Sequence, residues 1–580
     1  MPPLSTIADR LSAAGRRTGP FRERLQKWFV ISFIVGAVTG VGVAGVDALI
    51  YDVVWRGAKS VTPRALISFL PMAALLASAF LMKKYSPDKV HGTEEVIKSY
   101  HEQAGKIDVR SAWAKIGAAV ATIGLGGSVG LEGPSVHIGA LVGSWMQRWL
   151  SRFGFDDEDR RWMMLAGAAA GIAAIFRAPL TGIVFALEVP YRDDLAHRAL
   201  IPALTASVTS YFFFVTLIGT QPLFVVEHSY NLDYRQLLLA TLLGVVCGLT
   251  ARCFVLFFKW SEKTLHARLP STIARALVGG TIVSGTGIAS LAIFEAPLSL
   301  GTGYEGIRLM LGGRLVLSSL LMLFILKAVA TSATLASGGV GGTFIPLIFL
   351  GAATGSAFGS AVQSSSVLYP IVGMAGFLAA GYSVPLAAAA FVAETTGSPG
   401  FIIPGLLAAA ISFAFSGQIS LSSFQRFGRQ AVIQRMLNAE VEASMTTPAI
   451  VVPAAVSVND FVRDYVVKYR HLHFPVEQEG MLVGMVGVDD LRRLPEEEWS
   501  AATVMQIARK DLVGLLPSTS VAEAVRFMQE QGLDRLPVVS AADESRVIGI
   551  VALADILRLE ELASFVEPAG KDDTRNTRER

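Results

Sequence analysis

From residue 328 to residue 393 the chain contains no Asp, Glu, Lys, Arg or His. A water-soluble domain does not carry such a run, whereas one bilayer crossing needs only about 20 apolar residues. The run and its continuation are broken by Gly338-Gly339, Gly341-Gly342, Pro346, Pro370, Pro385 and Pro404. Glu394 is the only acidic or basic residue between 328 and 425. Irregular backbone at membrane depth must line a cavity or be buried in protein, because lipid cannot satisfy free N–H and C=O groups. The pattern therefore predicts an α-helical polytopic membrane protein built from broken helices. With 580 residues, 52% hydrophobic and 17% charged, most of the chain belongs in lipid and a soluble part still fits beside it.

A second glycine-rich break carries a charge. Gly126-Gly127-Ser128-Val129-Gly130-Leu131-Glu132-Gly133-Pro134 places Glu132 between glycines in apolar surroundings. Pro134 suits the first turn of a helix, where a missing N–H costs nothing. Free amides at a helix N-terminus form an anion site, and a carboxylate there can hold that site until a mobile anion displaces it. The grammar repeats 212 residues later. Gly130, Pro134, Gly139, Ala140, Gly143 and Ser144 match Gly342, Pro346, Gly351, Ala352, Gly355 and Ser356 without a gap. Paired interrupted segments in two halves point to a binding site near the bilayer midplane. Tight helix packing alone explains Gly139 and Gly143. It does not explain Glu132, since an intramembrane carboxylate is functional by default.

In chain order, residues 1–27 are basic, with Arg10, Arg16, Arg17, Arg22, Arg24 and Lys27 against Asp9 and Glu23. They read as a cytoplasmic N-terminal segment rather than a secretory leader or a nucleic-acid arm. The membrane domain is expected over 28–438, in halves of about 28–230 and 231–438. Spans are expected at Trp28–Val54, Ala65–Met82 and 199–226, while Ile116–Leu131 and Gly133–Gln147 are short for a full span, as helices ending at midplane are, and further short segments follow at 162–176 and 178–190. The second half adds segments at 236–258, 276–294 and 315–326. Cys247 and Cys253 read as packing residues. Charges return after Arg426, and 439–567 reads as a soluble α/β duplication, with copies at about 440–497 and 500–567. Phe474-Pro475-Val476, Leu482–Val486 and Asp489-Asp490-Leu491 answer to Leu536-Pro537-Val538-Val539, Ile548–Val551 and Asp555-Ile556-Leu557. Residues 568–580 have a disordered composition.

These motifs resemble the CLC family of chloride channels and chloride/proton antiporters over roughly residues 28–430, and the duplication resembles a tandem CBS domain. Gly130-Leu131-Glu132-Gly133-Pro134 is similar to the family's G-x-E-G-P stretch, and Gly342-Thr343-Phe344-Ile345-Pro346 to G-x-F-x-P. Phe391-Val392-Ala393-Glu394-Thr395-Thr396-Gly397 is similar to a third. The resemblance implies two inverted structural repeats and a homodimer with one anion pathway per subunit. It implies Glu132 as the gate, and amides at Thr343, Phe344, Leu131 and Gly133 as anion ligands. His91 and Gly92 fall where the family has its first motif, with His91 replacing a serine. Val189 falls where antiporters often have a proton-transfer glutamate, and Leu421 falls at the inner-pathway tyrosine. In the CBS pair, Asp490 and Asp555 fall at the acidic ribose-contact position, which leaves room for ATP or another adenine nucleotide. The usual hydroxyl residues are absent there, with Gly487 and Ala552 in their place.

The function expected is a gated, passive chloride channel of the bacterial type, in the cell (plasma or inner) membrane with both termini cytoplasmic. Its partners are small anions, the bilayer and a second copy; it uses no nucleic acid, no metal and no required cofactor. A chloride/proton antiporter is the alternative, with Glu188 a conceivable relay. An enzyme is disfavoured, because no H-E-x-x-H occurs and no histidine lies near a nucleophile motif. A metal-ion transporter would need acidic pore residues, which the neutral run lacks.

Overall fold

The computed structural model describes residues 28–60, 64–86, 92–150, 157–224, 226, 233–364, 366–417, 419–428, 437–510 and 514–556. The expectations for 1–27, His91 and 568–580 lie outside the described residues. The chain divides into two compact units, Met1–Arg426 and Phe427–Arg580.

The first unit is all helical. Among the described residues eight helices are long and apolar enough to cross a membrane: Trp28–Lys59, Leu66–Tyr85, His197–Ile218, Tyr234–Arg268, Thr272–Phe294, Leu317–Ala336, Phe344–Ala361 and Pro399–Ser416. The outer helices bury one stripe only. Val35, Thr39 and Val43 are buried, while Phe29, Phe33, Val38 and Val41 on the same helix are exposed, as a lipid-facing helix requires. The neutral run has a different fate. Every residue of Leu368–Tyr382 is buried, and most of Phe344–Ala361 is too. A helix apolar all round is a core element, so this run is neutral because protein surrounds it.

Several boundaries differ from the sequence reading: the segments expected at 236–258 and 315–326 run as Tyr234–Arg268 and Leu317–Ala336, and the helix in the 199–226 stretch ends at Ile218. The first helix continues past Val54 to Lys59. The stretch 116–131 is not one helix: Val109–Gly124 ends, and the chain turns at Gly126, whose φ of 90° suits glycine, before a new helix starts at Glu132. Thr93–Glu102, just after Gly92, is a helix that the expected segments do not include; its acidic first turn suits a helix N-terminus.

The small residues do what close packing demands. A Cβ on Gly139 would collide with the Gly167 carbonyl, and one on Gly351 with the Gly373 carbonyl. Gly143 meets the Met163 carbonyl as Gly355 meets that of Tyr369. Glycine lets these backbones touch, and the same contacts recur in both halves.

The second unit holds two small α/β repeats. In one, Val452–Pro453 pairs parallel with His473–Gln478, which pairs antiparallel with Met481–Gly487. In the other, Arg535–Ser540 pairs antiparallel with Asp543–Ala552, beside the helix Val521–Gln531. Each repeat has its own apolar core, one around Phe461, Phe474 and Val486, the other around Leu536, Val538 and Val551.

Candidate functional site

The two glycine breaks meet. Gly130 and Gly342 form an isolated antiparallel bridge, each N–H donating to the other's carbonyl at 2.8 Å. An antiparallel contact between matching residues is what an inverted repeat produces about its axis. From this crossing two helices start, the gate helix Glu132–Leu150 and the anion helix Phe344–Ala361. Their N-termini face one region, so two sets of free amides and two helix dipoles converge there.

The Glu132 side chain occupies it. Glu132 is 1% exposed, and its Oε1 accepts the Ile345 N–H at 3.2 Å. Its Oε2 is buried without a hydrogen-bond partner. A Cβ added to Gly130 or to Gly342 would collide with the carboxylate. The two repeat glycines therefore form a notch shaped to a small anionic group, and the amides of the other half's helix bind it. The charge here belongs to a tethered carboxylate.

The expected ligands gather around this notch. Leu131 and Gly133 flank the gate, and Gly133 lies against the Gly342 backbone. Thr343 is the N-cap residue of the anion helix and Phe344 its first residue; both are buried. Gly92, with φ of 63°, precedes the helix Thr93–Glu102 and packs on the Gly133 backbone. Leu421 is 8% exposed and its N–H donates to the Gly381 carbonyl at 2.8 Å. Val189 is buried at the end of the helix Pro179–Glu188.

Two further groups escaped the sequence reading. Lys327 is fully buried one residue before the neutral run. Its ammonium donates to the Gly301 carbonyl at 2.8 Å and the Ser299 carbonyl at 3.4 Å, 5.3 Å from the Phe349 ring centroid. Gly301 N–H in turn donates to the Gly126 carbonyl, so the lysine braces the turn that leads to Glu132. An intramembrane cation is itself a functional signal. Tyr382 is the second: its hydroxyl meets the Thr343 hydroxyl at 2.5 Å.

A second register, 206 residues apart, relates Phe176, Arg177, Pro179, Phe185 and Glu188 to Tyr382, Ser383, Pro385, Phe391 and Glu394. Arg177 and Ser383 share left-handed backbone, at φ of 55° and 58°. The edge-on ring pair Phe176–Phe391 has its counterpart in Tyr382–Phe185. The carboxylates cross over. Glu188 accepts the N–H groups of Leu386 and Ala387 at 3.1 and 2.9 Å, while Glu394 accepts those of Leu180 and Thr181 at 2.9 and 2.7 Å. Each half caps a helix of the other. Glu188 is thereby held away from the anion notch, as its one-residue offset from Val189 predicts. Glu188→Ala and Glu394→Ala should each destabilise by about 1–3 kcal/mol, the scale of losing charge-assisted bonds to buried amides. Thermal unfolding in detergent measures this; unchanged melting in both would refute the capping role.

In the CBS unit the two acidic candidates part. Asp490 is 1% exposed and accepts the Gly487 N–H at 2.9 Å and the Arg509 Nε–H at 3.0 Å, with Arg493 at 3.3 Å. Its oxygens are engaged by Gly487 and Arg493 of its own copy and by Arg509 of the next, which leaves less of it free for a ribose; Asp555 is half-buried and keeps that role open. Asp490→Ala should destabilise the unit by about 2 kcal/mol through loss of a buried, paired carboxylate. Differential scanning calorimetry on the full chain should show its transition lowered, and an unchanged transition would contradict this.

With this geometry in place, comparison with known proteins is specific. Residues 73–417 match the model of the voltage gated chloride channel family, and 439–497 and 504–561 each match the CBS domain. The H(+)/Cl(-) exchange transporter ClcA of Cronobacter sakazakii is 30% identical over 430 residues, covering 69% of this chain and 90% of that one. A CLC-type fluoride/proton antiporter superposes with a TM-score of 0.61 at 22% identity, over 70% of this chain and 98% of that one. A eukaryotic CLC transporter gives 0.58 at 17% identity, over 92% and 98%. These last two share the fold. A multi-pass helical unit with crossed inverted repeats, a carboxylate seated on the facing helix and a following CBS pair together place the chain in the CLC family of chloride-transporting membrane proteins.

Proposed function

We propose that this protein is a proton-gated anion channel, selective for chloride and similar small anions. One observation carries the reading: the Glu132 carboxylate is seated on the Ile345 amide in the Gly130–Gly342 notch. A group held there by its charge leaves when protonated, and a free anion takes its place. Amides bind weakly enough for release, which conduction requires. Val189 lacks a proton at the place where exchange would need one, and Glu188 is committed to capping. The protein works as a homodimer in the cell membrane with both termini cytoplasmic, transports rather than catalyses, and the CBS pair regulates it, with an adenine nucleotide as the natural effector of such domains. Flux from chloride-loaded liposomes, with the internal anion replaced by isethionate or the cation varied, tests the reading. Anion-dependent, cation-independent flux is expected; flux that follows the cation would overturn it.

Coupled chloride/proton exchange is the second reading. It is favoured by the similarity to a protein named an exchange transporter. It is also favoured by Glu94, which accepts the Ser423 N–H at 3.0 Å and brings a carboxylate near the segment that contains Leu421.

A further inference from the structure

The residue that the inner pathway lacks at 421 has a substitute on another helix. Tyr382 ends the helix Leu368–Tyr382 and is 4% exposed. Its ring packs edge-on against Phe185, its carbonyl accepts the Gln425 side-chain N–H at 2.8 Å, and Leu421 bonds to the carbonyl just before it. These contacts fix the ring. Its hydroxyl is brought to Thr343, the N-cap residue of the anion helix.

Two hydroxyls that meet share one hydrogen, so one O–H hydrogen is left over. Among the described residues no carbonyl or carboxylate accepts it. A leftover donor, nine-tenths buried, stands beside the amides of Phe344 and Ile345, where Glu132 already occupies the place of an anion. The phenol is the more acidic of the two hydroxyls. The favoured arrangement therefore has Thr343 donating to the phenolic oxygen and the phenol donating onward, each bond polarising the next. The internal repeat gives an independent argument. The counterpart of Tyr382 is Phe176, which keeps the edge-on ring contact without an oxygen. Packing at this place is satisfied by phenylalanine, so the hydroxyl serves something other than packing.

We propose that Tyr382 is an anion ligand of the conduction pathway, donating its phenolic O–H to a chloride ion bound at the N-terminus of the anion helix. This rests on the anion-pathway reading above and adds a specificity-determining residue to it. A hydroxyl donor favours small, strongly hydrated anions over large polarisable ones, because it replaces part of the lost hydration.

The test uses the full chain with Glu132→Gln, which frees the amides, and compares it with Glu132→Gln/Tyr382→Phe and Glu132→Gln/Thr343→Val. Chloride binding is read by calorimetry, and chloride-over-thiocyanate preference by liposome flux. Tyr382→Phe should weaken chloride binding about tenfold or more, the scale of one hydrogen bond to a charged acceptor, and narrow the preference. Thr343→Val, which leaves the phenol free to donate, should weaken it less than threefold. Chloride affinity in the Tyr382→Phe protein within twofold of its parent would overturn the proposal. So would an equal or larger loss with Thr343→Val, which would make the threonine the ligand. A Glu132→Gln parent that binds no chloride would overturn the anion-site reading and this proposal together. An intact parent with an unaffected tyrosine variant overturns this proposal alone.

Discussion

Replacing Glu132 with glutamine should abolish most of the pH dependence of anion flux. At neutral pH the native carboxylate is held in the notch by the Ile345 amide. Its bond to the amide is charge-assisted, at about 1.5–3 kcal/mol against about 0.5–1.5 kcal/mol for a neutral acceptor. Protonation removes that advantage. A difference of about 1.4 kcal/mol is tenfold in occupancy, so native flux should rise roughly tenfold as acid protonates the gate. The sign follows from the charge: acid opens, base closes. The glutamine side chain keeps the size and loses the charge, so its flux should be high at every pH and vary less than about twofold. Gly130→Ala is an independent check, because its Cβ points at the carboxylate and the glycine backbone is outside the left-handed region. It should expel the gate and raise neutral-pH flux while Glu132 remains ionised elsewhere. Liposome flux between pH 5 and 8 measures both. Full acid activation in the glutamine variant would show that some other group senses the proton.

Much of this site was legible before the structure, for identifiable reasons. Glu132 announces itself because a carboxylate in hydrocarbon is expensive. The glycine repeat announces itself because a Cβ at Gly139, Gly143, Gly351 or Gly355 would strike a neighbouring backbone carbonyl, so only glycine lets these backbones touch. The register that starts at Phe176 and Tyr382 was harder to see. Its members are ordinary aromatics, prolines and a glutamate, and its spacing differs by six residues from the first. Lys327 was not legible because one lysine at the edge of a neutral run does not show which carbonyls it meets in the fold. Tyr382 escaped because a lone tyrosine in an apolar helix reads as packing until its hydroxyl is given a partner. Helix ends were misjudged where hydropathy continued past a break, as at 116–131. The backbone there is set by a turn at Gly126, to which an average over apolar residues is blind. The surroundings of Asp490 were hidden for the opposite reason. Its motif position suggests a ligand, but Arg509, nineteen residues away in sequence, reaches it in the fold and takes its charge.

Chloride moving down its gradient through this protein should not drive protons uphill. Coupled exchange requires Glu132 to be loaded with a proton from the inner side while an anion crosses, so a titratable group or an ordered water chain must bridge an apolar interior. Val189 offers neither. It is buried, and its carbonyl is taken by the Gln425 side chain at 2.9 Å. Glu188, next to it, has both carboxylate oxygens on the amides of the helix Pro385–Thr396. Moving it to a relay position would leave two buried N–H groups unpaired, at about 1–3 kcal/mol each. The Tyr382 and Thr343 hydroxyls are bonded to each other at the start of the anion helix. Glu94, bonded to the Ser423 N–H, is then a carboxylate near the segment that contains Leu421 that could feed a separate route, which makes a decisive comparison available. Vesicles with an outward chloride gradient, clamped by valinomycin and potassium, should show anion current that reverses at the chloride equilibrium potential and no proton accumulation. If protons do move against their gradient, and Glu94→Gln as well as Glu132→Gln abolishes that movement while Val189→Ala does not, the protein is an antiporter with its inner proton site moved from position 189 to position 94. A reversal potential fixed by chloride alone, unchanged in Glu94→Gln, leaves Glu94 as a brace for the 419–426 segment and the pathway as a channel.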